Sequence, residues 1–149
     1  MEAKTINDAR SYLQEVAEEL NATRELDPLE VYRVLTDIGK ELPQIADADR
    51  TDANFVYGCI SNVYVAAQRE GTRITFTGSS DAHVVRGYLA VLIQALSGLE
   101  VADLAEGSAR EIVEQFAKDT QLRATLTPNR ANAFGNIYQL MVEHATQAV

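Results

Sequence analysis

Cys59 is the one cysteine of the 149-residue chain, and it directly follows a glycine. A single thiol cannot form a disulfide within the chain, and it cannot by itself supply the four ligands of a structural metal site. Such a thiol can act as a nucleophile, carry one sulfur-bonded group, or serve as a small buried apolar residue. These three alternatives bound the chemistry expected at this position.

The residues around Cys59 predict a loop. Phe55–Tyr57 is too short for a helix and is typical of an extended segment. Gly58 tolerates backbone angles that other residues resist, and Ser61 favours a turn. We therefore expect Cys59 at the tip of a connection between two strands. Asn54 is a candidate for fixing this loop through hydrogen bonds from its side chain to the backbone.

The two histidines, His83 and His144, are far apart in the sequence, and neither has a cysteine or aspartate at metal-ligand spacing. We therefore expect no metal site. A thiol-dependent hydrolase stays open as one alternative, and it would need His83 and an asparagine or aspartate to converge on Cys59. Another alternative is an interaction module in which the thiol is incidental and acidic helices carry the binding.

The charge of the chain is strongly acidic and uneven. The net charge is −9, and residues 1–53 contribute −7 of it, from 13 acids and 6 bases. Nucleic acid, which is bound by clusters of Lys and Arg, is therefore excluded as a partner. No apolar run approaches the length of about 20 residues that crosses a bilayer, and no secretory leader is recognisable, so no membrane partner is expected. A lone cysteine is typical of a reducing cytoplasm.

Apolar residues at three- and four-residue spacing predict several amphipathic helices. Asn21–Arg24 lacks this periodicity and is predicted to be a connection. Gly78–Asp81 is predicted to start a central helix that is apolar on nearly all sides, which would put the Asp81 carboxylate in a first helical turn, where the dipole favours it. The expected helices are roughly 6–22, 28–42, 78–97, a short one at 101–106, one from 108, and 128–145.

A β-hairpin is predicted between the second and third of these helices. Val63–Arg69 is rich in β-branched and aromatic residues, Glu70 and Gly71 supply a turn, and Thr72–Thr77 alternates apolar with polar residues. With Phe55–Tyr57 as a further strand, the sheet has three antiparallel strands. The fold class expected for residues 1–149 is therefore a single α+β domain in which helices cover one face of a small sheet.

Three motifs stand in order along the chain: Val56–Tyr64 around the cysteine, Gly78–Gly87, and Leu126–Arg130. Together they resemble the SufE family of sulfur-acceptor proteins. The likeness covers about residues 27–145, and residues 1–26 then form an N-terminal helical extension. The resemblance implies a fold of helices on a small sheet, shared with IscU-type cluster scaffolds. Those scaffolds need several cysteines, so this chain is not expected to build a cluster.

The resemblance implies a sulfur carrier that works with, and stimulates, a pyridoxal-phosphate cysteine desulfurase of the SufS or CsdA kind, rather than a stand-alone enzyme. Sulfane sulfur would pass from the partner's persulfide to Cys59. It would then pass to iron–sulfur cluster assembly on a SufBCD-like scaffold. Pyridoxal phosphate belongs to the partner, so no cofactor is expected in this chain.

The resemblance also makes three charged residues relevant to the cysteine loop or to a partner. Asp81 is expected to influence the conformation of the loop. Arg86 is either a surface charge or part of the face that meets the desulfurase. Arg130 either contacts a partner or pairs with Asp81. With Cys59 as the acceptor, the candidate site is completed by Asn54, Gly58 and Ser61.

Overall fold

The computed structural model describes residues 2–59, 61–122 and 128–147, with the side chains of residues 130 and 131 excepted. Within these residues the chain forms six α-helices and a three-stranded antiparallel sheet, which confirms the α+β class. The elements are α1 Ile6–Leu26, α2 Glu30–Gly39, β1 Val63–Glu70, β2 Arg73–Ser80, α3 His83–Leu96, β3 Leu99–Glu100, α4 Val101–Ala105, α5 Ser108–Asp119 and α6 Pro128–Gln147. Two short 3-10 turns, Asp47–Asp49 and Asp52–Asn54, lead into the cysteine loop.

The sheet has the order β1-β2-β3, and the predicted hairpin forms its larger part. Pairing runs from Val63 opposite Ser80 to Glu70 opposite Arg73. The prediction that Phe55–Tyr57 is the third strand is wrong, because this segment makes a single bridge and then turns away into the loop. The third strand is instead the two-residue β3, which pairs with the start of β2.

Helix α3 lies at the centre of the core, as its continuous apolar sequence predicts. It packs on β2 and α2, whereas α6 packs on β1. Gly87 of α3 allows an unusually close approach to α2, since a Cβ atom on Gly87 would lie 2.2 Å from the carbonyl oxygen of Leu35. The histidine of α6, His144, holds that helix to the sheet through a 2.8 Å hydrogen bond between its Nε2 and the carbonyl oxygen of Val65.

Two boundaries differ from the predicted ones at the N-terminal helices. Asn21–Arg24 continues α1 instead of forming a connection, because its polar side chains bind the end of α5. The Asn21 amide donates to the carbonyl of Asp119 (2.9 Å), and the Arg24 guanidinium donates to that of Thr120 (2.6 Å). Helix α2 ends at Gly39, three residues earlier than its apolar pattern suggests.

The start of α3 also differs from the prediction, and this difference moves a candidate site residue. Gly78, Ser79 and Ser80 form the end of β2, paired with the start of β1, and α3 begins at His83. Asp81 therefore precedes the helix and does not lie in its first turn. Among the described residues, no helix is both long and apolar enough to cross a bilayer.

Candidate functional site

The cysteine loop connects Val56 to Val63, and the structure describes residues 57–59 and 61–62 of it. Hydrogen bonds close this loop at its base. The Val56 amide donates to the carbonyl of Val63 at 2.8 Å. On the other side, the backbone N–H of Asn62 donates to Oδ1 of Asp81 at 3.0 Å, and the backbone N–H of Asp81 donates back to the carbonyl of Asn62 at 3.3 Å. Asp81 thus pins the loop to the end of β2, and Cys59 lies midway along the loop in sequence.

The thiol of Cys59 is half-buried and packs against the hydrophobic core. Its polar neighbour is Asn136 of α6, whose side chain lies close enough to the sulfur to act as its hydrogen-bond partner. Gly58 has a φ of +87°, and a Cβ atom on it would lie 2.8 Å from Nδ2 of Asn136. Glycine at position 58 therefore allows the positive φ of the loop, and it also leaves room for the Asn136 side-chain amide.

The protonation of the thiol reflects these two neighbours. Burial raises the pKa of Cys59 above its ordinary value, because the thiolate is poorly solvated, and the Asn136 hydrogen bond acts in the opposite direction. Burial is the larger influence, so the resting protein holds mainly the neutral thiol at pH 7. A neutral thiol is a poor nucleophile and resists oxidation.

Aromatic residues surround the base of the loop. Phe55 meets Tyr57 and Tyr64 edge to face, with ring centroids 4.9 and 5.3 Å apart. The Arg50 guanidinium lies 5.8 Å from the centre of the Tyr64 ring and donates to Oγ of Ser79 at 3.2 Å. The Tyr57 side chain is 66% exposed, which is unusual for a large aromatic residue and leaves it available for contact.

A cleft of about 610 Å³ opens beside the loop, between the end of α2 and the end of β2. Three cationic residues line it, Lys40, Arg50 and Arg86, together with Asp81. Positive side chains therefore gather beside the cysteine loop on a chain whose net charge is −9.

The remaining candidate residues occupy different places around this region. The side-chain amide of Asn54 donates to the backbone carbonyl of Asp49 at 2.8 Å, so it fixes the acidic segment before the loop. The Arg86 guanidinium donates twice to the carbonyl of Ser80, at 3.2 and 3.0 Å, and is partly buried. Ser61 is half-buried within the loop, whereas the side chain of Arg130, at the start of α6, lies outside what the structure describes.

Neither histidine takes part in a catalytic arrangement with the thiol in the part of the chain that the structure describes. His83 is exposed at the start of α3, and the ring of His144 bonds to the backbone of β1. Within the same residues, no three side chains of His, Cys, Asp or Glu are grouped as a metal site would require. A thiol hydrolase would need an imidazole at Cys59, so the geometry does not favour that alternative.

Comparison with known proteins identifies the family of this chain. The family model described as SufE, the Fe-S metabolism associated domain, matches residues 14–145. The chain belongs to the SufE family. It is 38% identical over 118 residues to an uncharacterized SufE-like protein of Synechocystis, covering 79% of this chain and 71% of that one. It is 29% identical over 117 residues to the sulfur acceptor protein CsdE of Escherichia coli, covering 78% and 77%.

A solved structure supports the fold of this SufE-family chain. It is the solution structure of a hypothetical protein from Thermus thermophilus, with a TM-score of 0.62, 19% identity, and coverage of 92% of this chain and 95% of that one. At this identity the likeness concerns the fold alone.

Asn136 is a site residue that the sequence analysis does not single out. The signal in the sequence that could have pointed to it is a polar residue close to the apolar residues Phe134 and Ile137 of the predicted last helix.

Proposed function

We propose that this SufE-family protein accepts sulfane sulfur on Cys59 and carries it as a persulfide. The observation that supports this proposal most directly is the position of the chain's single thiol in a loop that Asp81 pins at its base. There it is half-buried against the core and beside an exposed aromatic residue. A small core residue would be expected inside an element, not at a loop that a partner can reach.

The transfer is a thiol exchange that needs no oxidant. The thiolate of Cys59 attacks the outer sulfur of the partner's persulfide, a new S–S bond forms on Cys59, and the partner's own S–S bond breaks. The partner's cysteine leaves as a thiolate, so one thiolate is consumed and one is produced. The raised pKa of Cys59 means that proton loss accompanies attack, at the moment when the partner is bound.

The donor would be a cysteine desulfurase of the SufS or CsdA kind, whose pyridoxal phosphate releases sulfur from L-cysteine and whose turnover this protein would stimulate. Tyr57 and the cation-lined cleft flank the loop, and they are the surface that such a partner would cover. The persulfide would then pass to a SufBCD-like iron–sulfur scaffold. The exchange would take place in the cytoplasm, where a single thiol stays reduced.

The test is the intact mass of the protein after incubation with a cysteine desulfurase and L-cysteine in the absence of reductant. We expect one or more added sulfur atoms on the wild type, removed by dithiothreitol, and none on Cys59→Ser. The hydroxyl of serine cannot form a persulfide, yet it preserves the size of the side chain, so fold and docking should persist.

A matched measurement separates acceptance from docking. Cys59→Ser should still bind the desulfurase in a pull-down with the purified partner, while failing to raise its turnover. If the wild type gains no sulfur from several desulfurases, including one from its own genome, the acceptor proposal is wrong. The protein would then be better described as an interaction module of the SufE family.

A further inference from the structure

Asn136 brings a polar group from the last helix onto the cysteine loop. Its Nδ2 would lie 2.8 Å from a Cβ atom on Gly58, so the amide rests directly on the glycine that precedes the thiol. The same side chain lies close enough to the Cys59 sulfur to act as its hydrogen-bond partner, and it acts to lower the pKa of the thiol. Helix α6, which carries Asn136, is itself anchored to the rest of the fold by the His144 hydrogen bond to β1 and by buried apolar residues.

We propose that Asn136 is a positioning residue for Cys59, whose amide holds the loop in its sheltered place and stabilises the negative charge on the sulfur during transfer. This inference rests on the proposed function, in which Cys59 must become a thiolate. It adds a residue that none of the three sequence motifs contains. Asn136 acts on the thiol and forms no bond to the sulfur that is transferred.

The chemistry of the amide suits this role. A side-chain amide offers two N–H donors and carries no charge, so it can donate to a thiolate without drawing a metal or an extra proton into the site. Hydrogen bonds to charged groups are stronger than those between neutral groups. The bond therefore strengthens as the proton leaves, which partly offsets the effect of burial on the pKa of Cys59.

The test measures the rate of Cys59 alkylation by iodoacetamide against pH in the free protein, with no desulfurase present. Asn136→Ala should move the midpoint of the profile to higher pH. It should slow alkylation at pH 7 by about three- to tenfold, because the amide bonds the thiolate about twice as strongly as it bonds the neutral thiol. The limiting rate at high pH should stay the same or rise, since access to the thiol is not reduced.

Two further variants separate the amide's donation from its bulk. Asn136→Asp preserves the size but places a carboxylate beside the sulfur, so its midpoint should lie higher than that of Asn136→Ala. Gln139→Ala removes an exposed amide one turn further along α6 and should leave the profile unchanged. The thermal midpoint of each variant confirms that it is folded.

An unchanged midpoint in Asn136→Ala or in Asn136→Asp would overturn the inference. Slower sulfur loading from a desulfurase without a shift of the midpoint would also overturn it, because Asn136 would then act on the partner and not on the thiol. The alkylation profile does not depend on sulfur transfer. If the wild type accepts no sulfur but the midpoint still shifts, the proposed function fails while the link between Asn136 and Cys59 stands.

Discussion

Replacing Gly58 by alanine should disturb Cys59 through Asn136, and the size of the effect follows from two separate costs. At a φ of +87°, a residue with a Cβ atom loses about 1–2 kcal/mol relative to glycine. The new Cβ atom would also lie 2.8 Å from Nδ2 of Asn136. Because the amide ends a flexible side chain, it can rotate away, and the close contact then becomes the loss of a hydrogen bond worth about 0.5–1.5 kcal/mol.

Gly71 is the matched control for this substitution. It also has a positive φ, of +63°, at an exposed turn, but a Cβ atom there meets nothing within 4 Å. Gly71→Ala should therefore lower the free energy of unfolding by about 1–2 kcal/mol and leave the alkylation of Cys59 unchanged. Gly58→Ala should lower it by about 1.5–3.5 kcal/mol and shift the alkylation profile to higher pH, as Asn136→Ala does.

The decisive assay is a double-mutant cycle between Gly58→Ala and Asn136→Ala, followed by urea unfolding and by the pH profile of alkylation. Once alanine at position 58 has displaced the amide, removing Asn136 should cost less than about 0.5 kcal/mol more, and the profile should not move again. If Asn136→Ala has the same effect in both backgrounds, the two residues are independent, and the reasoning from the close contact is wrong.

Two further predictions concern the core and its response to pH. Gly87→Ala should lower the free energy of unfolding, measured in urea, by about 3 kcal/mol, because its Cβ atom would lie 2.2 Å from the backbone oxygen of Leu35. Gly135→Ala is the control, since the space there is open, and it should raise the free energy of unfolding by up to about 1 kcal/mol. Equal effects of the two substitutions would contradict the close packing of α2 and α3. Burial raises the pKa of Tyr138 to about 12, so the folded state keeps it protonated while the unfolded chain ionises near pH 10. Stability from this group is therefore lost as the pH rises from about 10 to about 12, and Tyr138→Phe should show a smaller fall in thermal midpoint over that range; an identical fall would refute the assignment.

The elements that the sequence predicts well are those whose own residues determine them. Three- and four-residue apolar spacing predicts α1, and the alternation of Ile74 and Phe76 with polar neighbours predicts β2. The turn at Glu70 and Gly71 predicts the hairpin that joins β1 to β2. These patterns are local because backbone sterics and side-chain period act over a few residues.

Elements set by distant contacts are less predictable from the sequence. The third strand is β3, two residues long, which is too short to carry any periodicity and forms because β2 offers an unpaired edge at Ile74. Asn21–Arg24 has no apolar repeat, yet it is helical because it binds the end of α5. Gly78–Asp81 has the composition of a helix start, but the pairing between β1 and β2 extends through Ser80. Helix α3 therefore begins only at His83.

The sequence by itself determined which chemistry is available: one thiol, a glycine before it, no disulfide, and an acidic chain with the motifs of the SufE family. Tertiary structure alone decided how that thiol is held. The Asp81 carboxylate pins the loop, and the Asn136 amide from the last helix reaches the sulfur. Residue types are encoded locally, but the meeting of a loop with a distant helix depends on how the whole core packs, and no short-range pattern records it.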